Sequence, residues 1–192
     1  MNLKEKFFDV FNMYIEKKSS KKKISNTLKK LLPYQIDTQL IRLGEKNDGG
    51  YLVPDDFAGI DKNYSAGVGF LTKFEKDLET RYLIKSNMLD FNEIEKTILP
   101  NKASFFKKKL GLVSNNEEIS INDWIIKDDK DIILKLDIEG DEYASLIDIS
   151  EENLKKVRIL VIEFHDLRNL RNDIFLNLII KSILSWFKVI QL

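Results

Sequence analysis

The chain has 192 residues, enough for one domain with a sizeable core. Its 31 acidic and 31 basic residues cancel, which argues against a general nucleic-acid binder with its basic excess. Cysteine is absent, which excludes disulfides, thiolate metal sites and a cysteine nucleophile. No apolar run reaches the ~18 residues of a membrane span, and the opening MNLKEKFF lacks the apolar core of a secretory signal. A cytoplasmic location is the resulting expectation.

Residues 1–35 read as a helical segment ahead of a domain over 36–192. Leu3, Phe7, Val10, Phe11, Tyr14 and Ile15 recur at helical spacing, with charges between them. Residues 19–23, SSKKK, read as a polar joint, followed by a short helix over 24–32 that stops at Pro33. Residues 40–54, LIRLGEKNDGGYLVP, have hairpin character, with Asn47, Asp48, Gly49 and Gly50 as the turn. A strand over 63–68 runs into Gly67 and Gly69, and a helix over 71–85 follows. Residues 87–91 form a short strand ending at Asp90, and residues 103–112 hold another. Ser120 opens a short helix through Trp124 in a capping-box-like pattern.

Residues 132–143, IILKLDIEGDEY, are the most informative stretch. An apolar run delivers Asp137, Glu139 and Gly140, and a helix through Tyr143, Leu146 and Ile147 begins at once. Buried strands of parallel sheets read as such runs, and open α/β sheets bind ligands beyond the carboxyl ends of their strands. Ser150 caps another helical turn, with Glu151 and Glu152 favoured by its dipole. Residues 157–164, VRILVIEF, read as a buried strand followed by His165 and Asp166. A long helix over 173–186 and a strand over 187–192 complete the pattern.

Strands alternating with helices imply an α/β fold, a mostly parallel Rossmann-like sheet with helices on both faces. Four strand ends then carry polar groups to one rim: Gly67 and Gly69; Asp90; Asp137 and Glu139; Glu163, His165 and Asp166. Ser65-Ala66-Gly67-Val68-Gly69 before a helix permits close backbone approach to a ligand. Asp90 lies at the spacing at which an acid binds ribose hydroxyls. The third glycine of a dinucleotide fingerprint is replaced by Thr72, and bulky Phe70 and Leu71 precede it. That disfavours a pyrophosphate clamp. S-adenosylmethionine, which carries a ribose and no phosphate, fits better.

Taken together, KNDGGYLVP, YSAGVGFLTKFEKDLE, LKLDIEGDEYASL (with Glu142) and VIEFHDL resemble the FkbM-like S-adenosylmethionine-dependent methyltransferases, over residues 36–167. The resemblance is to bacterial members associated with surface-polysaccharide genes. It implies a class I methyltransferase fold with a seven-stranded sheet and methyl transfer to a hydroxyl, here of a sugar or surface-glycan precursor. It implies that Gly67 and Gly69 hold the methionine part of the cofactor and that Asp90 takes the ribose, with Ser65, Ala66 and Asp137 on the same rim. Asp48, Gly49, Gly50 and Tyr51 would close over the cofactor or acceptor. Asp137 and Glu139 would line the transfer site, and Glu163 and His165 would face the acceptor.

His165, the single histidine, suits a general base. Asp137, Glu163 and His165 together could instead bind Mg2+ or Mn2+, which would acidify and orient the acceptor. Family members continue past the FKVIQL at which this chain stops. The resemblance therefore implies that the last antiparallel strand pair is missing, which leaves an open sheet edge suited to self-association. Two other readings compete: an inactive fragment that at most binds cofactor or a partner, and a nucleotide-dependent oxidoreductase, which the missing third glycine disfavours.

Overall fold

A computed structural model describes residues 19–30, 37–126 and 130–166, with Asn172 and Asn177. The helices expected over 3–15 and 173–186 and the strand over 187–192 lie outside the described residues, apart from Asn177.

Helix α1 spans Lys21–Lys30, starting three residues earlier than its apolar pattern indicates. Ser20 accounts for the difference: its Oγ accepts the backbone N–H of Lys23 at 3.2 Å, so the SSKKK stretch is a cap and first turn rather than a joint.

Strands β1 (Leu40–Gly44) and β2 (Gly50–Pro54) form the expected antiparallel hairpin, in register from Leu40 opposite Pro54 to Gly44 opposite Gly50. Arg42 secures its turn by donating to the carbonyls of Glu45, Lys46 and Asn47. Gly50 is fixed by closure of the hairpin, because a Cβ there would lie 1.8 Å from the Glu45 carbonyl oxygen.

Strand β3 (Lys62–Ala66) leads through the glycine loop into helix α2 (Lys73–Tyr82), and strand β4 (Lys85–Asp90) follows. The expected strand over 103–112 is two strands. β5 (Ser104–Lys107) joins the main sheet, while β6 (Lys109–Gly111) pairs in parallel with β7 (Glu118–Ser120) in a separate ribbon. Helices α3 (Ile121–Trp124) and α5 (Glu151–Leu154) begin at Ser120 and Ser150, whose side chains accept the N–H groups of Asp123 and Asn153. Between them come β8 (Ile132–Leu136) and α4 (Glu142–Asp148), and β9 (Val157–Ile162) is the last described strand.

The main sheet has five parallel strands in the order β5-β4-β3-β8-β9. Numbered by their own succession these strands read 3-2-1-4-5, the doubly wound order, and the direction of winding reverses between β3 and β8. The fold is thus α/β and Rossmann-like. Alternation along β8 separates two hydrophobic cores, one on each face of the strand. Ile132, Leu134 and Leu136 pack with Trp124, Tyr143 and Leu146 on one face. Ile133 packs with Phe74 and Leu78 of α2 and Leu43, Tyr51 and Val53 of the hairpin on the other. Helices therefore cover both faces, and the hairpin lies on the α2 side. Among the described residues no helix is long and apolar enough to cross a membrane.

Candidate functional site at the strand ends

The register of the sheet builds the site. Leu89 pairs with Ala66, Ala66 with Leu136, and Leu136 with Ile162. The next residue of each strand therefore falls in one row across four neighbours: Asp90, Gly67, Asp137 and Glu163. Backbone bonds carry the ladder into that row, from Gly67 N–H to the Leu89 carbonyl (2.9 Å), Asp137 N–H to that of Ala66 (3.1 Å) and Glu163 N–H to that of Leu136 (3.0 Å). The row crosses the point where winding reverses, and a crevice opens there in such sheets.

Gly67 is tight for a reason other than ligand approach. Its φ is +74°, and a Cβ would lie 1.6 Å from the Asp137 carbonyl oxygen. The neighbouring strand end alone demands glycine. At Gly69 (φ +49°) a Cβ would meet nothing within 4 Å, so this residue faces open space. Its N–H donates to Asp90 Oδ2 at 2.9 Å, and Asn92 N–H donates to Asp90 Oδ1 at 2.7 Å. Asp90 is nearly buried and ties the glycine loop to the end of β4. A cleft of about 430 Å³ borders it, lined by Phe91, Asn92 and Glu93, by Lys107 and Lys108 at the end of β5, and by Asn116 and Glu117.

Ser65 and Ala66 have fully buried side chains. Ser65 Oγ points under α2, donating to Glu75 Oε1 at 2.5 Å, and Ala66 packs in the core. Of this loop, Gly67 and Gly69 reach the rim, while these two side chains support it from beneath. The hairpin turn packs on α2's approach, with Gly49 against Leu71.

Tyr51 brings the hairpin to the row. Its ring packs edge-on to Phe74 at 5.6 Å, and its hydroxyl donates to Asp137 Oδ2 at 2.8 Å and, more weakly, to Glu163 Oε2 at 3.5 Å. Burial, with the hydrogen bond to and charge of Asp137, pushes the Tyr51 hydroxyl well above its ordinary pKa, so it remains a donor. Glu163 is solvent-exposed, and partial desolvation by its neighbours still raises its carboxyl, helped by the charges of Asp137 and Asp48.

His165 lies three residues beyond β9. Its Nδ1 is 2.8 Å from Oε1 of Glu142, a residue wholly shut off from solvent. The same Oε1 accepts the N–H groups of Ile138 (3.0 Å) and Gly140 (3.1 Å), which the positive φ of Glu139 (+55°) and Gly140 (+114°) helps to turn inward. His165 Nε2 then faces Asp137 Oδ1 at 3.8 Å and Glu139 Oε2 at 3.6 Å. Burial disfavours the charged imidazole, but the hydrogen bond to and charge of Glu142, with Glu139 and Asp137, outweigh it and raise the pKa. One ligand atom each from Asp137, Glu163 and His165 lies within 4.8 Å of the others.

Two features have no role in the sequence reading. Glu142 is the buried brace of His165, and its sequence signal is a fourth acid right after the DIEG turn. Lys135 is the one charge in the buried strand IILKL. Its side chain is 3 % exposed, its Nζ lies 3.8 Å from Glu75 Oε1 and 5.4 Å from the centre of the Tyr51 ring. A lysine inside an otherwise apolar run is itself a signal that a buried partner exists.

No family model, curated protein or solved structure matches the chain.

Proposed function

We propose that the chain is an S-adenosylmethionine-dependent methyltransferase that acts on a hydroxyl of a small acceptor, a sugar or surface-glycan precursor. The observation that carries this reading is the row Asp90–Gly67–Asp137–Glu163 at the point where the winding reverses. Asp90 suits ribose hydroxyls, and the cleft beside it, with the exposed ring of Phe91, suits a flat base.

Charge supports this cofactor over a dinucleotide. Asp48, Asp137 and Glu163 act together on the Tyr51 hydroxyl. Lys135 beneath them is buried against Glu75 and cannot reach a ligand's phosphates, and the two lysines of the cleft beyond Asp90 are engaged, Lys107 by Glu93 and Lys108 by the Asn115 carbonyl. A sulfonium cation is attracted by such a rim, and a pyrophosphate is repelled.

In the transfer, the acceptor oxygen attacks the methyl carbon and the C–S bond breaks. The sulfur leaves as a neutral thioether with the electron pair, and the hydroxyl loses its proton. The sulfonium is already activated, so the protein's tasks are alignment and the fate of that proton. Asp137, Glu163 and His165 stand at the acceptor side for the second task, as a base or as ligands of an ion that acidifies the hydroxyl.

An Asp90→Ala variant should bind S-adenosylmethionine more weakly by ~1.5–3 kcal/mol, the worth of hydrogen bonds to a charged group. Calorimetry reads this directly, and transfer of a labelled methyl group to candidate sugars tests the reaction. Unchanged affinity in Asp90→Ala would remove the ribose assignment.

A further inference from the structure

We infer that Asp137, Glu163 and His165 form a binding site for one divalent cation, best matched by Mn2+, with Glu142 and Tyr51 as its orienting partners. Two of the three donors are hard carboxylate oxygens, the kind Mn2+ favours, and the third is a borderline imidazole nitrogen, which first-row transition ions take and Mg2+ and Ca2+ do not favour. The three atoms lie within 4.8 Å of one another and come from the ends of β8 and β9.

A group of nearby acids alone would mean little. The second observation is how the far side of two of these ligands is held. His165 Nδ1 is engaged by a fully buried carboxylate, Glu142, which turns Nε2 toward the cluster. Asp137 Oδ2 accepts from Tyr51, which leaves Oδ1 on the His165 side. Histidine ligands of metals almost always have such a carboxylate or carbonyl on the other nitrogen, and ligating carboxylates are hydrogen-bonded in turn. Nε2 and Oδ1 face each other across 3.8 Å, too far for a hydrogen bond. One ion can bridge them after a small adjustment, since even zinc, with bonds of about 2.0–2.2 Å to nitrogen and oxygen, spans such a separation. Glu163, the third ligand, is solvent-exposed and gives the ion an entry path.

That the ion acidifies an acceptor hydroxyl rests on the methyl-transfer reading; its binding does not. The test is therefore made without cofactor. Mn2+ is titrated into the full chain, and the free ion is followed by electron paramagnetic resonance. One site per chain is expected. Asp137→Asn and Glu163→Gln should abolish it; Glu163 is exposed at a strand end, so its replacement leaves the core intact. Glu142→Gln and Tyr51→Phe should weaken it by roughly 10–100-fold, in proteins that still melt cooperatively. An absence of stoichiometric Mn2+ binding, or binding that survives both Asp137→Asn and Glu163→Gln, overturns the site. S-adenosylmethionine binding measured in EDTA separates the two ideas: a chain that binds Mn2+ but not the cofactor keeps the ion site and loses the methyltransferase. The converse result keeps the cofactor and loses the ion.

Discussion

Gly67→Ala should destabilise the protein by about 2–5 kcal/mol. The positive φ of Gly67 costs an L-residue roughly 1–2 kcal/mol, and driving a methyl group into a packed neighbour costs about 1–3 more. Here the neighbour is the Asp137 backbone, 1.6 Å from the added carbon, and it is pinned by its own bond to Ala66. That is a large share of the roughly 5–15 kcal/mol that holds a domain folded. Gly69→Ala is the matched control. Its conformation costs about 1–2 kcal/mol, and nothing lies within 4 Å to resist the methyl. Urea unfolding of the two variants checks both numbers. If Gly67→Ala unfolds at the same denaturant concentration as the unaltered chain, β3 and β8 do not meet as described.

This contrast decides how a glycine-loop experiment can be read. Loss of cofactor binding in a Gly67 variant would report a broken sheet end as readily as a blocked ligand. Gly69 faces the open rim, so its substitution reports on the ligand.

His165→Ala should lower methyl-transfer turnover by ~10²–10⁴-fold, the usual worth of a positioned acid–base group, and leave cofactor affinity nearly unchanged. The reason is geometric. His165 approaches the row at its Asp137–Glu163 end, braced by Glu142, while Asp90 and the glycine loop hold the other end, and on the methyl-transfer reading the first of these is where the acceptor sits. Initial rates at saturating S-adenosylmethionine, beside calorimetry of the same variant, separate the two effects. Normal turnover in His165→Ala would take the histidine out of the mechanism, whether as base or as ion ligand.

Much of the fold is legible in the sequence because the signals are local. The hairpin rests on the Asn-Asp-Gly-Gly turn, and the buried strands β8 and β9 on uninterrupted apolar runs. The convergence of Asp90, Asp137, Glu163 and His165 on one rim follows from the parallel direction of the strands.

What the sequence conceals depends on contacts between distant segments. Gly67 looks like a ligand glycine until the Asp137 carbonyl, seventy positions on, is seen against it. Ser65 belongs to a motif that suggests a cofactor contact, yet strand alternation turns its side chain inward to Glu75. Residues 103–112 read as one strand because both halves are extended. The break at Lys108 follows from β6 leaving the sheet to pair with β7, whose three residues give almost no pattern. Glu142 looks like one more surface acid of a charged helix start. Only the turn preceding α4 shows its carboxylate folded inward onto two amides and an imidazole.

On the proposed reading, the rim binds a sulfonium nucleoside and no dinucleotide. Calorimetric titration of the chain with S-adenosylmethionine, and in parallel with NAD+, tests it most directly. One equivalent of S-adenosylmethionine should bind with measurable heat while NAD+ gives none, because the acidic row attracts the sulfonium and repels the pyrophosphate. Saturable binding of NAD+, or no binding of S-adenosylmethionine by the folded chain, would contradict the account.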